Sequence, residues 1–75
     1  MRFYFDVKDD FFAAIDEEGT ELASLKAAER DAIAMATAVA RDLFSSRGTE
    51  VLVTVRDGKQ PLFELRITAA RKDLT

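Results

Sequence analysis

A chain of 75 residues and 8.4 kDa is enough for one domain and no more. It contains no Cys, His or Trp. That excludes disulfide frameworks, Cys- or His-ligated zinc, and Ser-His-Asp or Cys-His nucleophiles. Its 48% apolar content excludes a disordered tail, and its net charge of −3 argues against a general nucleic-acid binder.

The opening run from Arg2 to Lys8 alternates with period two. Phe3, Phe5 and Val7 fall on one face and Arg2, Tyr4, Asp6 and Lys8 on the other, the pattern of a half-buried strand. Asp9-Asp10 reads as a turn and Phe11 to Ile15 as a second, shorter strand completing a hairpin, with Phe11, Ala13 and Ile15 on one face. The polar stretch Asp16 to Glu21 ends that strand, and Gly19 within it suits a turn with positive φ.

Ser24 has the position of a helix N-cap, with Leu22 before it as a staple. Leu25, Ala28, Ala32, Met35, Ala36, Val39 and Leu43 then recur at spacings of three and four and form one apolar stripe. The helix is expected to end near Gly48, after about 21 residues or roughly 32 Å. Val51, Val53 and Val55 alternate with Leu52, Thr54 and Arg56 in the strongest strand signal of the chain. Asp57-Gly58-Lys59-Gln60 is a hairpin loop, and Pro61 opens a last strand with Phe63, Leu65 and Ile67 on one face. Residues 69–75 read as a frayed tail.

The fold class is therefore α+β, in the order β-β-α-β-β. A four-stranded antiparallel sheet in the order 2-1-3-4 is covered on one face by one helix. Residues 1–75 form a single domain. At this size the hydrophobic gain and the ordering cost each come to about 110 kcal/mol, so a second copy or a partner would help the fold. No run approaches the roughly 18 apolar residues of a membrane span. The absence of Cys and of a leader-like apolar segment at the start makes the cytoplasm the expected location.

The sequence resembles a family of small uncharacterised bacterial proteins, a domain of unknown function common in rhizobia and their relatives. The resemblance runs from about Arg2 to Thr68. It rests on Phe3-Tyr4-Phe5-Asp6, on Asp16-Glu17-Glu18-Gly19-Thr20-Glu21-Leu22 followed by Leu25 and Ala27-Ala28, and on Val53 to Gly58. That family usually carries an Asp-Gly turn after its first strand, where this chain has Asp9-Asp10-Phe11. The resemblance implies no activity, cofactor or catalytic residue. The element order is also similar to that of the HicB-type antitoxins, a likeness of architecture and not of motif.

Four groups of residues could carry a function. The carboxylates Asp16, Glu17, Glu18 and Glu21 could meet a hard cation, although their spacing is not that of an EF-hand loop. A solvated loop beside a helix N-terminus is the plainer reading, and no metal is expected. Paired carboxylates for hydrolysis need a cleft that a one-helix domain lacks, so no enzyme activity, catalytic residue or cofactor is expected. Tyr4, Arg56, Lys59 and Arg66 on the outer sheet face could form a small nucleic-acid platform, with Asp6 and Glu64 diluting its field. The uncharged segment Ala32 to Ala40 carries most weight. Ile33, Thr37, Ala40 and Phe44 make a shoulder beside the core stripe, and Leu52 and Leu62 add apolar area on the other side of the sheet. The expected function is a non-enzymatic interaction module that self-associates as a homodimer or docks on another protein. The alternative is an antitoxin-like or nucleic-acid-binding regulator.

Overall fold

The computed structural model describes residues 1–75. Five strands and one helix follow in the order β1 (Arg2–Asp9), β2 (Ala13–Ala14), β3 (Thr20–Glu21), α1 (Leu25–Ser46), β4 (Glu50–Asp57) and β5 (Gln60–Thr68). The sheet is antiparallel, in the order β2-β1-β4-β5, and β3 pairs with β1 beside β2. The expected α+β class, central first and valine-rich strands and single covering helix are all present.

The second strand differs from expectation. A strand over Phe11 to Ile15 is replaced by two short ones, β2 and β3, joined by a turn. The Asp9 carboxylate accepts the N–H groups of Phe11 and Phe12 at 2.7 and 2.8 Å, and this Asx turn takes both residues out of the ladder. Ile15 follows β2 and stands 66% exposed, not in the core. The chain then returns to β1 only at Thr20, which pairs with Phe3.

The core is small and divided by residue size. The sheet contributes Phe3, Phe5, Val51, Val53 and Val55, and the helix contributes Ala28, Ala32, Ala36 and Ala40. Alanines spaced by four form a row inclined about 26° to the helix axis. With only methyl groups between them, the helix backbone comes down close on the bulky sheet side chains. Met35, Val39, Leu43 and Phe44 pack beside this row as partly buried flanks. Two sequence expectations change as a result. Leu25 is half exposed instead of in the core stripe, and Ala40 is buried in the row instead of on an open shoulder. The four-residue spacing rotates the buried row away from Leu25 and toward Ala40 along the helix.

The helix ends are built as expected. The Ser24 hydroxyl accepts the Ala27 N–H at 3.1 Å, and the Gly48 N–H reaches the Leu43 carbonyl at 3.0 Å. The loop between β4 and β5 is tighter than expected, since Asp57 and Gln60 already pair and leave only Gly58 and Lys59 to turn. Gly58 has φ +52° there, the left-handed geometry that two-residue hairpins require. A register shift at Val55/Arg56 leaves Leu62 as an extra residue in β5. Past Thr68, the Ala69 N–H still bonds the Thr49 carbonyl at 2.8 Å, so the tail begins one residue later than expected.

Close packing on the alanine row sets a stability expectation. Ala36→Leu should destabilise the fold by about 1–3 kcal/mol through overpacking. Ala34→Leu, on the exposed back of the same helix, should change it by less than about 0.5 kcal/mol. Urea unfolding followed by circular dichroism measures both, and equal costs would show that the row is not the tight contact.

Candidate functional site

The outer face of the sheet carries one polar network, and Arg56 is its centre. Arg56 Nε donates to Asp6 Oδ2 at 2.8 Å and Nη2 to Asp6 Oδ1 at 3.2 Å, a bidentate pair across β1 and β4 with both side chains 19% exposed. The same Nη2 donates to the Asp16 carbonyl at 2.6 Å, Nη1 donates to the Gly58 carbonyl, and the guanidinium stacks 4.7 Å from the Tyr4 ring centroid. All three nitrogens of this cation donate within the chain. Arg56 and Tyr4, read from the sequence as members of a nucleic-acid face, form instead the internal brace of that face. Lys59 lies apart in the hairpin turn, and Arg66 is more than half exposed, with Nε 3.9 Å from Glu50.

Asp16 extends the network to the edge of β1. Its N–H donates to Asp6 Oδ1 at 2.9 Å, and its Oδ2 accepts the Phe5 N–H at 3.1 Å. Its Oδ1 accepts the N–H groups of Gly19 at 3.0 Å and Glu18 at 3.1 Å. A carboxylate thus stands in for the missing strand between β2 and β3. Gly19 is required in that turn, with φ +74° and space for a Cβ only 2.9 Å from Tyr4 and Arg2 side-chain carbons. Within the acidic stretch Asp16 is a backbone clamp, while Glu21 accepts from the N-terminal ammonium at 2.8 Å. No group of three or more metal-type side chains converges there or elsewhere.

Asp10 makes a second clamp. Its Oδ1 accepts the N–H groups of Thr49 and Glu50, both at 2.9 Å, and its Oδ2 accepts the Thr49 hydroxyl at 2.8 Å. This fastens the β1–β2 loop to the start of β4. The loop holds Phe11 and Phe12 at the surface, with the Arg47 guanidinium 5.0 Å from the Phe11 ring centroid. A shallow groove of about 360 Å³ runs between Phe11, Phe12 and the helix residues Val39, Asp42 and Leu43. A polar depression of about 420 Å³ lies nearby, bordered by Lys8, Asp10, Thr49 and Arg66. Both open to solvent. Sequence reasoning noted the Asp9-Asp10 turn but missed both clamps, because their backbone partners are set by the tertiary fold.

The residues expected at an interface separate into two places. Val39 and Leu43 face Phe11 and Phe12 at the β2 end of the sheet. The opposite flank, with Ile33, Thr37 and Phe44, therefore lies toward β5. Ile33 is 44% exposed, Phe44 is half-buried against the core, and Thr37 is exposed with its hydroxyl donating to the Ile33 carbonyl of the preceding turn at 2.8 Å. Leu52 and Leu62 stand away from this flank, Leu52 on the outer face and Leu62 at the bulge. Below the flank, Phe63, Leu65 and Ile67 of β5 are only partly buried.

This combination defines a small α+β domain with a single helix on an antiparallel sheet whose outer face is tied by one arginine. The chain belongs to the family DUF6894, a domain of unknown function, which matches residues 2–68. No curated protein and no solved structure matches it.

The clamping carboxylates predict the acid behaviour. The Arg56 guanidinium holds Asp6 below the usual carboxylate range. Backbone N–H bonds from Gly19 first, then Phe5 and Glu18, hold Asp16 below it, and those from Glu50 and Thr49 do the same for Asp10. Groups depressed on folding stabilise the native state fully above their unfolded value near ~3.9, and this contribution is lost as pH falls through the folded values. Stability should therefore drop below about pH 4. Asp16→Asn should flatten that drop while lowering stability at neutral pH, as read from urea midpoints at the two pH values. An unchanged pH profile in the variant would remove Asp16 from the account.

Proposed function

We propose that this chain is a non-enzymatic interaction module of the cytoplasm that associates with a second copy of itself. The carrying observation is the β5 side of the molecule. There the apolar row Phe63, Leu65 and Ile67 is left half-covered beneath a helix flank with Ile33 exposed. On the two central strands the inner face is buried at Phe3, Phe5, Val51, Val53 and Val55, and only Val7 is partly covered. Apolar area in one contiguous strip, on a fold with little stability to spare, is what a partner of the same kind would cover. The folded chain exposes 5541 Å². A compact protein of this mass exposes roughly 4,600 Å². Residues 70–75, exposed throughout, add to the difference. The commitment of Arg56 to Asp6 weighs against the regulator that binds nucleic acid, since it removes the central cation from the outer face.

Size exclusion with light scattering at micromolar concentration should give about twice the chain mass of 8.4 kDa. Ile33→Asp should shift the population toward monomer without changing the far-UV circular dichroism. A wild-type chain that stays monomeric at high concentration would end this reading.

A further inference from the structure

The two edges of the sheet are treated in opposite ways. Along β1 the outward backbone groups belong to the odd-numbered residues, and the chain engages each of these residues in turn. The Met1 carbonyl takes the Leu22 N–H, Phe3 pairs with Thr20, the Phe5 N–H meets the Asp16 carboxylate, Val7 pairs with Ala14, and the Asp9 N–H meets the Phe12 carbonyl. This edge is closed to further strands.

Along β5 nothing comparable is present. The Ala69 N–H bonds the Thr49 carbonyl just before β4, so by the alternation of an antiparallel ladder the odd-numbered residues of β5 point their N–H and C=O groups at β4. The groups of Glu64, Arg66 and Thr68 point away from the sheet, and β5 is its last strand. No hydrogen bond within the chain reaches those N–H groups.

We infer that a second copy of this chain joins along β5, antiparallel, with the two-fold axis at Leu65 and with Glu64 of each copy opposite Arg66 of the other. The inference rests on the self-association proposed above and specifies its geometry. Three observations select the register. The apolar row Phe63, Leu65 and Ile67 must continue onto the same face in the second copy, which excludes any slip by one residue. A pairing centred on Glu64 sets that carboxylate against its own copy, and one centred on Arg66 sets two guanidinium groups together, both like-charge contacts. Centring on Leu65 makes each of these contacts an opposite-charge pair. It also pairs 62–68 with 68–62 and stops short of Pro61.

The charges are free to do this. Glu64 makes no ion pair within the chain, and Arg66 has only the loose approach to Glu50 at 3.9 Å. In this arrangement Phe63 of one copy packs beside Ile67 of the other, and the two helix flanks carrying Ile33 approach over the axis. The assembly closes as a dimer because the β1 edge of each copy is already capped, so no fibre can grow.

A charge-swap series tests the pairing on the full chain. Glu64→Arg alone and Arg66→Glu alone should each weaken dimerisation by at least about tenfold, because both variants create like-charge pairs on both sides of the axis. An equimolar mixture of the two variants, and the double variant Glu64→Arg/Arg66→Glu, should restore it. Leu65→Cys supplies a second readout, since the chain has no other cysteine. Opposed Cα atoms at a pair not bonded through the backbone lie about 4.5 Å apart, within disulfide range. Mild oxidation should therefore give a covalent dimer. If the wild type is dimeric but neither single swap weakens it, or Leu65→Cys does not cross-link, the β5 pairing is wrong and self-association stands. If the wild type is monomeric, both fall.

Discussion

The bidentate pair between Arg56 and Asp6 joins the two central strands, and the rest of the outer face is arranged around it. Its spare donors reach the Asp16 and Gly58 carbonyls, so one side chain also ties down the β2–β3 turn and the β4–β5 hairpin. A cation this enclosed is useful only when its acceptors are complete, because removing one partner of a shielded pair leaves the other without compensation. Asp6 supplies two oxygens, the backbone supplies two more, and Tyr4 covers the guanidinium plane. The result is a sheet whose exposed face is stiff without being apolar.

That brace has a consequence at the sheet edge. With Asp16 held against Asp6, its carboxylate is placed to receive the Phe5 N–H that no strand covers. A side chain thus completes an edge that β2 and β3, of two residues each, are too short to complete. The β5 edge has no such device over Glu64 to Thr68. Natural sheets guard their open edges, and here Pro61 and the bulge at Leu62 guard only the start of β5, leaving the rest beside a half-covered apolar row as a place where another strand gains both hydrogen bonds and burial.

The inner face follows a different logic. Large side chains come from the sheet and methyl groups from the helix, so the two layers sit close together without interdigitating long side chains. A narrow helix seam covers the middle of the sheet and leaves its margins to the flanks. At one margin Val39 and Leu43 meet the Phe11-Phe12 loop, which Asp9 and Asp10 hold in place. At the other margin Phe63, Leu65 and Ile67 have only the helix flank above them. The asymmetry of the molecule comes from this difference in cover.

Local patterns determined much of this protein before any folding. Period-two alternation marked β1, β4 and β5, a Ser before an apolar stripe marked the start of α1, and Asp57-Gly58 marked the tight hairpin. Each rests on interactions within a few residues, which a sequence displays directly. Tertiary structure alone decided the split of the second strand, the burial of Ala40 in place of Leu25, and the spending of Arg56 on Asp6 across 50 residues of chain. Those outcomes depend on which backbone donors and which neighbouring strands come within reach. Tyr4 and Arg56 looked like a ligand face because alternation reports the side of a sheet, while only the register sets Asp6 and Asp16 beside the guanidinium and neutralises it.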